Sequence, residues 1–85
     1  MDYEWDEAKN AFNARKHGIG FEAMHGFDWH TAATDIDDSE DYGELRETAI
    51  GFIGLDLYYV IFVVQDDAAI RIVSLRPASR AEARR

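Results

Sequence analysis

The sequence contains no cysteine and a single proline, Pro77. Without cysteine the chain can form neither a disulfide framework nor a thiolate metal site. No apolar run approaches the roughly 18 residues that a membrane-spanning helix needs. The N-terminal segment Met1-Asp2-Tyr3-Glu4 is acidic and lacks the basic-then-apolar order of a signal peptide. We therefore expect one soluble, cytoplasmic domain over residues 1–85, with a modest core and no metal or other cofactor.

Positive charge is also scarce, with 9 lysines and arginines against 17 acidic residues and a net charge of −8. This total argues against nucleic acid, because affinity for phosphate rests on positive charge. The distribution is uneven, however. Residues 28–47 carry eight acids and one base, Arg46, whereas residues 71–85 carry five arginines and one acid, Glu82. The pattern favours either a local basic site on an acidic molecule or a solvated acidic loop with an ordinary basic tail.

Two helices are predicted in the N-terminal third. Asp6 is a good N-cap for a helix over residues 7–17, and Gly18 suits the left-handed residue that ends it. Residues at helical spacing in this segment are Ala8, Ala11 and Phe12, with Lys9, Asn13 and Lys16 on a neighbouring face. A second helix is predicted from Phe21 to about His30. Its core-facing residues would be Phe21, Met24 and Phe27.

The rest of the sequence has the pattern of β-strands. Tyr3-Glu4-Trp5 is either a short strand or an extended lead-in. Strands are predicted over residues 31–36, 46–53, 57–64 and 68–75, with a polar loop at 37–44. The continuous apolar run at 57–64 is typical of a central strand covered on both faces. Turns are expected at Gly54 and at Asp66-Asp67, and Ser79 would cap a short C-terminal helix. The fold class is therefore α+β, with two N-terminal helices, a mostly antiparallel sheet of about four strands and a short C-terminal helix.

Generic catalytic motifs are missing from the sequence: it has no phosphate-binding glycine loop, no HExxH and no GxSxG. His25, His30 and Asp28 lie close in sequence. The two histidines are five residues apart, which does not place both on one helical face. No metal site is predicted.

If the local basic site acts on a phosphate group such as that of RNA, the leading catalytic candidates are three arginines, Arg46, Arg71 and Arg76. Cleavage of RNA without a metal ion proceeds by attack of the 2′-hydroxyl on the adjacent phosphate, and it needs positive groups around the phosphorane. The planar guanidinium grips phosphate oxygens bidentately. Strand alternation predicts Arg71 on one sheet face with Val73 and Leu75, and Ile70, Ile72 and Ser74 on the other. The alternative is that each arginine pairs with one of the many carboxylates.

The reaction also needs groups that move protons. Histidine titrates near neutral pH, so His17 is a candidate; alternatively it caps helix carbonyls and packs against Trp5 or Phe21. Glu44 and Glu47 flank Arg46, and Glu47 is retained as a candidate general base, although either carboxylate can equally be surface.

Other side chains are candidates for binding RNA without taking part in the chemistry. Lys16 and Arg80 are expected to contact it electrostatically. The aromatic residues Trp29, Tyr58 and Tyr59 are candidates to stack on bases. Adjacent residues of a strand face opposite ways, so one of the two tyrosines is expected in the core.

Spaced residues over most of the chain are similar to one known family. They are Trp5-Asp6, Lys9, Asn13, Lys16-His17-Gly18, Phe21, Arg46, Ile50-Gly51 and Ile72-Val73-Ser74-x-Arg76-x-Ala78. Together they resemble the BrnT toxins of bacterial type II toxin–antitoxin modules, small ribonucleases related in fold to RelE. The resemblance implies a metal-independent endoribonuclease that cuts RNA and arrests growth. It also implies a BrnA-like ribbon-helix-helix antitoxin as partner, with operator DNA bound only through that antitoxin.

Two other functions stay open at this point. One is a catalytically weak or inactive RelE-like binding module that acts with an antitoxin in operon autoregulation. The other is an unrelated small acidic adaptor. If there is an antitoxin, we expect it to cover the arginines Arg71, Arg76 and Arg80; the competing interpretation places it on the acidic residues 35–47.

Overall fold

The structure is a computed structural model that describes residues 2–37 and 43–84. Its elements are β1 (Tyr3–Glu4), α1 (Glu7–His17), a 3₁₀ helix (Phe21–Gly26), β2 (Ala33–Asp37), β3 (Arg46–Ile53), β4 (Asp56–Val64), β5 (Ile70–Pro77) and α2 (Arg80–Ala83). Residues 38–42, which make up most of the predicted polar loop, lie outside the described residues. Within the described ranges, no helix has the length and apolar character needed to cross a membrane.

The strands form one five-stranded sheet in the order β1-β5-β4-β3-β2. The α+β class is confirmed, and all four predicted strand segments are present. The expected count of about four strands is wrong because β1 adds a fifth, which pairs parallel to β5 and makes the sheet mixed. β1 has only two residues, too few for alternation to distinguish a strand from an extended lead-in. β4 lies in the centre of the sheet, as its apolar run predicts, but the hydrophobic core covers one of its faces and not both as expected.

Helix α1 has the predicted ends but not an apolar contact face. The Asp6 carboxylate accepts hydrogen bonds from the backbone N–H groups of Ala8 (2.8 Å) and Lys9 (3.3 Å). Gly18 ends the helix at φ 73°, a conformation that glycine adopts without steric cost. The one buried residue of α1 is Asn13, whereas Ala8, Ala11 and Phe12 are all exposed. The helix is therefore attached to the sheet through a polar side chain.

The second predicted helix is shorter than expected. The 3₁₀ helix ends at Gly26, and the chain then runs extended beside the end of β3. Phe27 forms a bridge with Ile53, and the N–H of Asp28 donates to the carbonyl of Phe52 at 2.9 Å. These backbone hydrogen bonds to a strand end the helical conformation before His30. The predicted core positions Phe21, Met24 and Phe27 are confirmed as buried.

One face of the sheet carries the hydrophobic core. Phe21, Met24 and Phe27 pack there against strand residues, which are Ala49, Val60, Phe62, Ile70, Ile72 and Leu75. Phe27 lies so close to β3 that a Cβ added at Gly51 would be 2.5 Å from its Cζ atom. Glycine at this position therefore allows the aromatic ring to rest on the strand.

A β-bulge reverses the alternation of β5. Ile61 pairs with Ser74 and Phe62 pairs with Ile72, so Val73 is an extra residue between them. The predicted faces are therefore wrong beyond Val73. Leu75 joins the core with Ile72, and Ser74 moves to the opposite, open face of the sheet. The bulge places Arg71, Ser74 and Arg76 together on that open face.

Candidate functional site

Asn13 fixes α1 along the edge of β5. Its Oδ1 accepts the N–H of Leu75 at 3.1 Å, and its Nδ2 donates to the carbonyls of Leu75 (2.6 Å) and Ile19 (3.0 Å). The side chain is 5 % exposed. β1 pairs only with Ile70 and Arg71, so beyond that point the Asn13 amide takes the place of a neighbouring strand for Leu75. α1 and β5 consequently form the two walls of a groove.

The wall supplied by α1 is a stripe of basic and aromatic side chains. Lys9, Phe12, Asn13, Lys16 and His17 follow the spacing i, i+3, i+4, i+7 and i+8, which places them on one helical face. With Ala8 and the β5 residues Val73 and Ser74 they line a cavity of about 400 Å³. Phe12 is 58 % exposed, and Lys16 Nζ lies 5.9 Å from the centroid of its ring. We call this cavity the helix pocket.

A second cavity of about 220 Å³ adjoins the first. It is lined by Asp6, Lys9, Glu44, Arg46, Arg71, Ile72 and Val73. Lys9 and Val73 line both cavities, so the two form one continuous groove between α1 and β5. The second cavity, with its cluster of Lys9, Glu44, Arg46 and Arg71, is called the arginine pocket.

Opposite charges organise the arginine pocket. Glu44 Oε1 lies 2.5 Å from Arg71 Nη2 and 3.8 Å from Arg46 Nε. The hydrogen bond from Arg71 lowers the pKa of Glu44 below its usual value, and the positive charges of Arg71, Arg46 and Lys9 add to this, against a smaller opposing effect of desolvation. Three cations thus surround one ionised carboxylate, while the other acid, Asp6, is engaged in capping α1. A chain of net charge −8 keeps a locally positive cavity here.

The structure brings together four of the residues singled out in the sequence. Arg46 and Arg71 lie in the arginine pocket, and Lys16 and His17 line the adjoining helix pocket. Glu47 is not among them. It follows Arg46 on β3 and pairs with Ile36 and Phe62, so it faces the core side of the sheet. The nearby carboxylate is that of Glu44.

Arg76 lies on the open face but is engaged with α2. Its Nη1 and Nη2 atoms each donate to a carboxylate oxygen of Glu82 at 2.8 Å, and its Cζ lies 4.2 Å from the centroid of the Tyr59 ring. Arg76 lies five positions beyond Arg71 on the strand, a distance of roughly 15 Å. Arg76 therefore does not join the arginine pocket.

The carboxylate of Glu82 also completes the cap of α2. It accepts the N–H of Ser79 at 2.7 Å, while the Glu82 N–H donates to Ser79 Oγ at 3.2 Å, which is a capping box. The hydrogen bonds from Arg76, first, and then from the Ser79 backbone, lower the pKa of Glu82 to about 2 against an opposing effect of desolvation. We call Arg76, Ser79 and Glu82 the α2 clasp.

The other predicted contacts lie elsewhere. Arg80 is exposed and lines a third cavity, of about 470 Å³, that shares no lining residue with the groove. Trp29 donates to the hydroxyl of Tyr3 at 2.7 Å and packs against Phe27 and Phe62, so it is structural. Tyr58 packs against the core, as expected for one of the two tyrosines.

Sequence reasoning did not identify Lys9 and Phe12 as functional residues of the groove, and it named Glu44 only as an alternative to Glu47. The signal for the first two was present, since Lys9, Phe12, Lys16 and His17 share one helical spacing. The position of Glu44 depends on tertiary contacts and left no such signal. Within residues 2–37 and 43–84, no three potential metal ligands are grouped closely enough to hold an ion.

Comparison with known proteins points to one family. The family profile described as "Ribonuclease toxin, BrnT, of type II toxin-antitoxin system" matches residues 5–82. The crystal structure of the Brucella abortus ribonuclease toxin BrnT is 31% identical in sequence, and the alignment covers 94% of this chain and 99% of that chain with a TM-score of 0.73. Among proteins of curated function, no sequence matches.

Proposed function

The chain belongs to the BrnT family of ribonuclease toxins of type II toxin–antitoxin systems, and we propose that it cleaves RNA in the arginine pocket. The observation that carries this proposal is the clustering of Lys9, Arg46 and Arg71 around Glu44 in one cavity. These residues come from α1, from β3 and from β5, so only the folded chain assembles them. Preorganised cations are what a phosphorane transition state requires.

The proposed reaction is transfer of the phosphate to the 2′-oxygen within one RNA strand. The 2′-hydroxyl loses its proton and attacks the adjacent phosphorus, the bond from phosphorus to the 5′-oxygen breaks, and the 5′-oxygen takes up a proton. The products are a 2′,3′-cyclic phosphate and a 5′-hydroxyl. Arg46 and Arg71 would hold the non-bridging oxygens, whose charge increases in the transition state. We propose a metal-independent reaction because the side chains themselves supply this positive charge.

We assign the two proton transfers to Glu44 and Lys9. Glu44 is ionised at neutral pH, since its pKa is lowered mainly by the hydrogen bond from Arg71. A phosphate bound by Arg71 competes for that hydrogen bond, which raises the basicity of Glu44 when the 2′-hydroxyl is in place. Glu44 would accept the 2′ proton and Lys9 would donate a proton to the leaving 5′-oxygen. His17 and Lys16, further along the groove, would be auxiliary basic groups.

The proposal extends to the biological setting that the family implies. We propose growth arrest by RNA cleavage in the cytoplasm and neutralisation by a BrnA-like ribbon-helix-helix antitoxin, through which operator DNA is bound. An antitoxin with acidic side chains would be attracted to the positive groove and would block it, and such steering weakens with salt. The competing interface on residues 35–47 includes positions outside the described residues.

One observation favours the alternative of an inactive binding module. Arg71 and Arg76 each hold a carboxylate, Glu44 and Glu82 respectively, so neither guanidinium is without an anionic partner in the structure. In an active enzyme the RNA phosphate must displace Glu44 from Arg71. The module would instead use the same positions only to bind its antitoxin.

An Arg71→Ala variant tests the active-site proposal. We expect the rate of RNA cleavage by the purified protein to fall on the order of a hundredfold or more, because a transition-state contact is lost. Growth arrest on expression should be relieved. The thermal melt should change little, since the ion pair of Arg71 with Glu44 is exposed.

Arg15→Ala is the matched control, because Arg15 is an exposed arginine that lines neither the arginine pocket nor the helix pocket. It should cleave RNA at the wild-type rate. Equal rates for Arg71→Ala and wild type would remove the arginine pocket from the reaction. If soluble wild-type protein neither cleaves RNA nor slows growth, the binding-module alternative is favoured.

A further inference from the structure

We propose that the helix pocket binds one base of single-stranded RNA by stacking it on Phe12, next to the phosphate held in the arginine pocket. The inference rests on the proposed function and specifies its substrate class. Phe12 is 58 % exposed on the groove-lining face of α1. An aromatic ring left in water at the entrance of a cavity offers apolar surface that a base can cover.

The position of the pocket fits a nucleotide neighbouring the cleaved bond. Lys9 and Val73 line both pockets, so RNA passes from one to the other without leaving the groove. Phe12 is three residues from Lys9, about 4.5 Å along the helix axis. A phosphate beside Lys9 therefore leaves the adjacent base within reach of the Phe12 ring.

The remaining lining suits a nucleotide in both charge and hydrogen bonding. Lys16 Nζ, 5.9 Å from the Phe12 ring centroid, supplies a cation for the next phosphate of the strand. Ser74 and His17 offer groups that donate to or accept from a base edge. A lining that combines basic and aromatic side chains is typical of sites that bind single-stranded nucleic acid, because the bases of a single strand can unstack from one another.

Single-stranded RNA is favoured over duplex RNA and over a protein partner. Bases in a duplex are stacked on one another, so none is available to Phe12. A protein helix in this groove would have to cover Lys9, Lys16 and His17 with apolar or acidic side chains, whereas RNA pairs phosphates with cations and a base with Phe12. Antitoxin docking at Phe12 is therefore an outcome that the test must be able to reveal.

The test measures binding separately from cleavage. The probe is a fluorescein-labelled, single-stranded 2′-O-methyl RNA decamer of mixed sequence, which lacks the attacking hydroxyl and cannot be cleaved. Its affinity is measured by anisotropy at constant salt. We expect Phe12→Ala to weaken binding about tenfold, the effect of losing one stacked base, and Phe12→Trp to retain it. The same probe annealed to its complement should bind wild type and Phe12→Ala equally.

Phe52→Ala is the matched control, because Phe52 is an aromatic residue that is 42 % exposed and lies outside the groove. It should bind the single strand like wild type. Since Phe12 is mostly exposed, its variants should have the thermal melting temperature of the wild type. If Phe12→Ala melts at a lower temperature, Phe12→Leu replaces it, because leucine keeps the apolar area and removes the aromatic face.

The outcomes separate this inference from the proposed function. Unchanged single-strand affinity in Phe12→Ala, while Arg71→Ala still loses cleavage, overturns the base site and leaves the arginine pocket intact. Unchanged RNA affinity in Phe12→Ala together with lost antitoxin binding reassigns the helix pocket to a protein partner. Weakened RNA binding in Phe12→Ala supports the base site even if Arg71→Ala shows that cleavage takes place elsewhere.

Discussion

Replacing Glu82 by glutamine removes the charge from the α2 clasp and should destabilise the fold in a pH-dependent way. The clasp lowers the pKa of Glu82 from 4.5 to about 2. A tenfold change in an acid dissociation constant corresponds to about 1.4 kcal/mol, so the upper limit is about 3 kcal/mol. The Glu82 and Arg76 side chains are 19 % and 34 % exposed, and solvent screening reduces the expected effect to about 1–2 kcal/mol at neutral pH.

The sign of the pH dependence follows from the lowered pKa. The folded state holds Glu82 ionised down to about pH 2, whereas the unfolded chain takes up a proton near the ordinary value of 4.5. The stabilisation is therefore complete above the ordinary value and is lost as the pH falls towards about 2. The free-energy difference between wild type and Glu82→Gln should shrink across that interval.

Urea unfolding at a series of pH values from 7 to 2 measures this difference. Asp56→Asn, which neutralises an exposed carboxylate at the start of β4, is the control and should give no comparable pH-dependent difference. A difference between wild type and Glu82→Gln that is the same at pH 7 and pH 3 would refute the clasp as the cause.

Cleavage by folded Arg76→Ala, assayed well below its melting temperature, decides whether Arg76 also contacts RNA, which stays a prediction from the sequence.

Two further substitutions test the framework of the groove. Asn13→Ala should destabilise the protein by about 3 kcal/mol in urea unfolding, since it leaves the buried N–H and carbonyl of Leu75 without partners; a loss below about 1 kcal/mol would mean that α1 is held in another way. Gly51→Ala should cost about 1–3 kcal/mol in the same assay, because the new methyl group meets the Phe27 ring. If Gly51→Ala unfolds at the same urea concentration as the wild type, the Phe27 ring moves aside without cost.

Local sequence signals predicted most of the elements. Asp6 and Gly18 at the ends of α1, Ser79 at the start of α2 and the apolar run in β4 each depend on neighbours within a few residues. Such signals are readable because capping and strand periodicity are local effects. The expected second helix failed because its last residues make hydrogen bonds to Phe52, which is distant in sequence.

The candidate site was less accessible to sequence reasoning because it depends on distant partners. The faces of β5 reverse at Val73, and only the pairing with β4 reveals the extra residue. Asn13 was identified by its position on a helical face, but its role rests on Leu75, which is 62 residues away. Glu44 and Glu47 both flank Arg46 in sequence, and the sequence contains no signal that only Glu44 lies beside Arg71 in the fold.

The attachment of α1 through Asn13 has a consequence for how this protein can diversify. Since the side-chain amides of Asn13 and Asn10 hold the helix together with its two end caps, the exposed side chains of Phe12 and Lys16 carry little of the packing. Substitutions at Phe12, Lys16 or His17 can then change what the groove recognises at small cost to stability. Under the proposed function, such a toxin can acquire a new RNA preference through changes confined to one helical face.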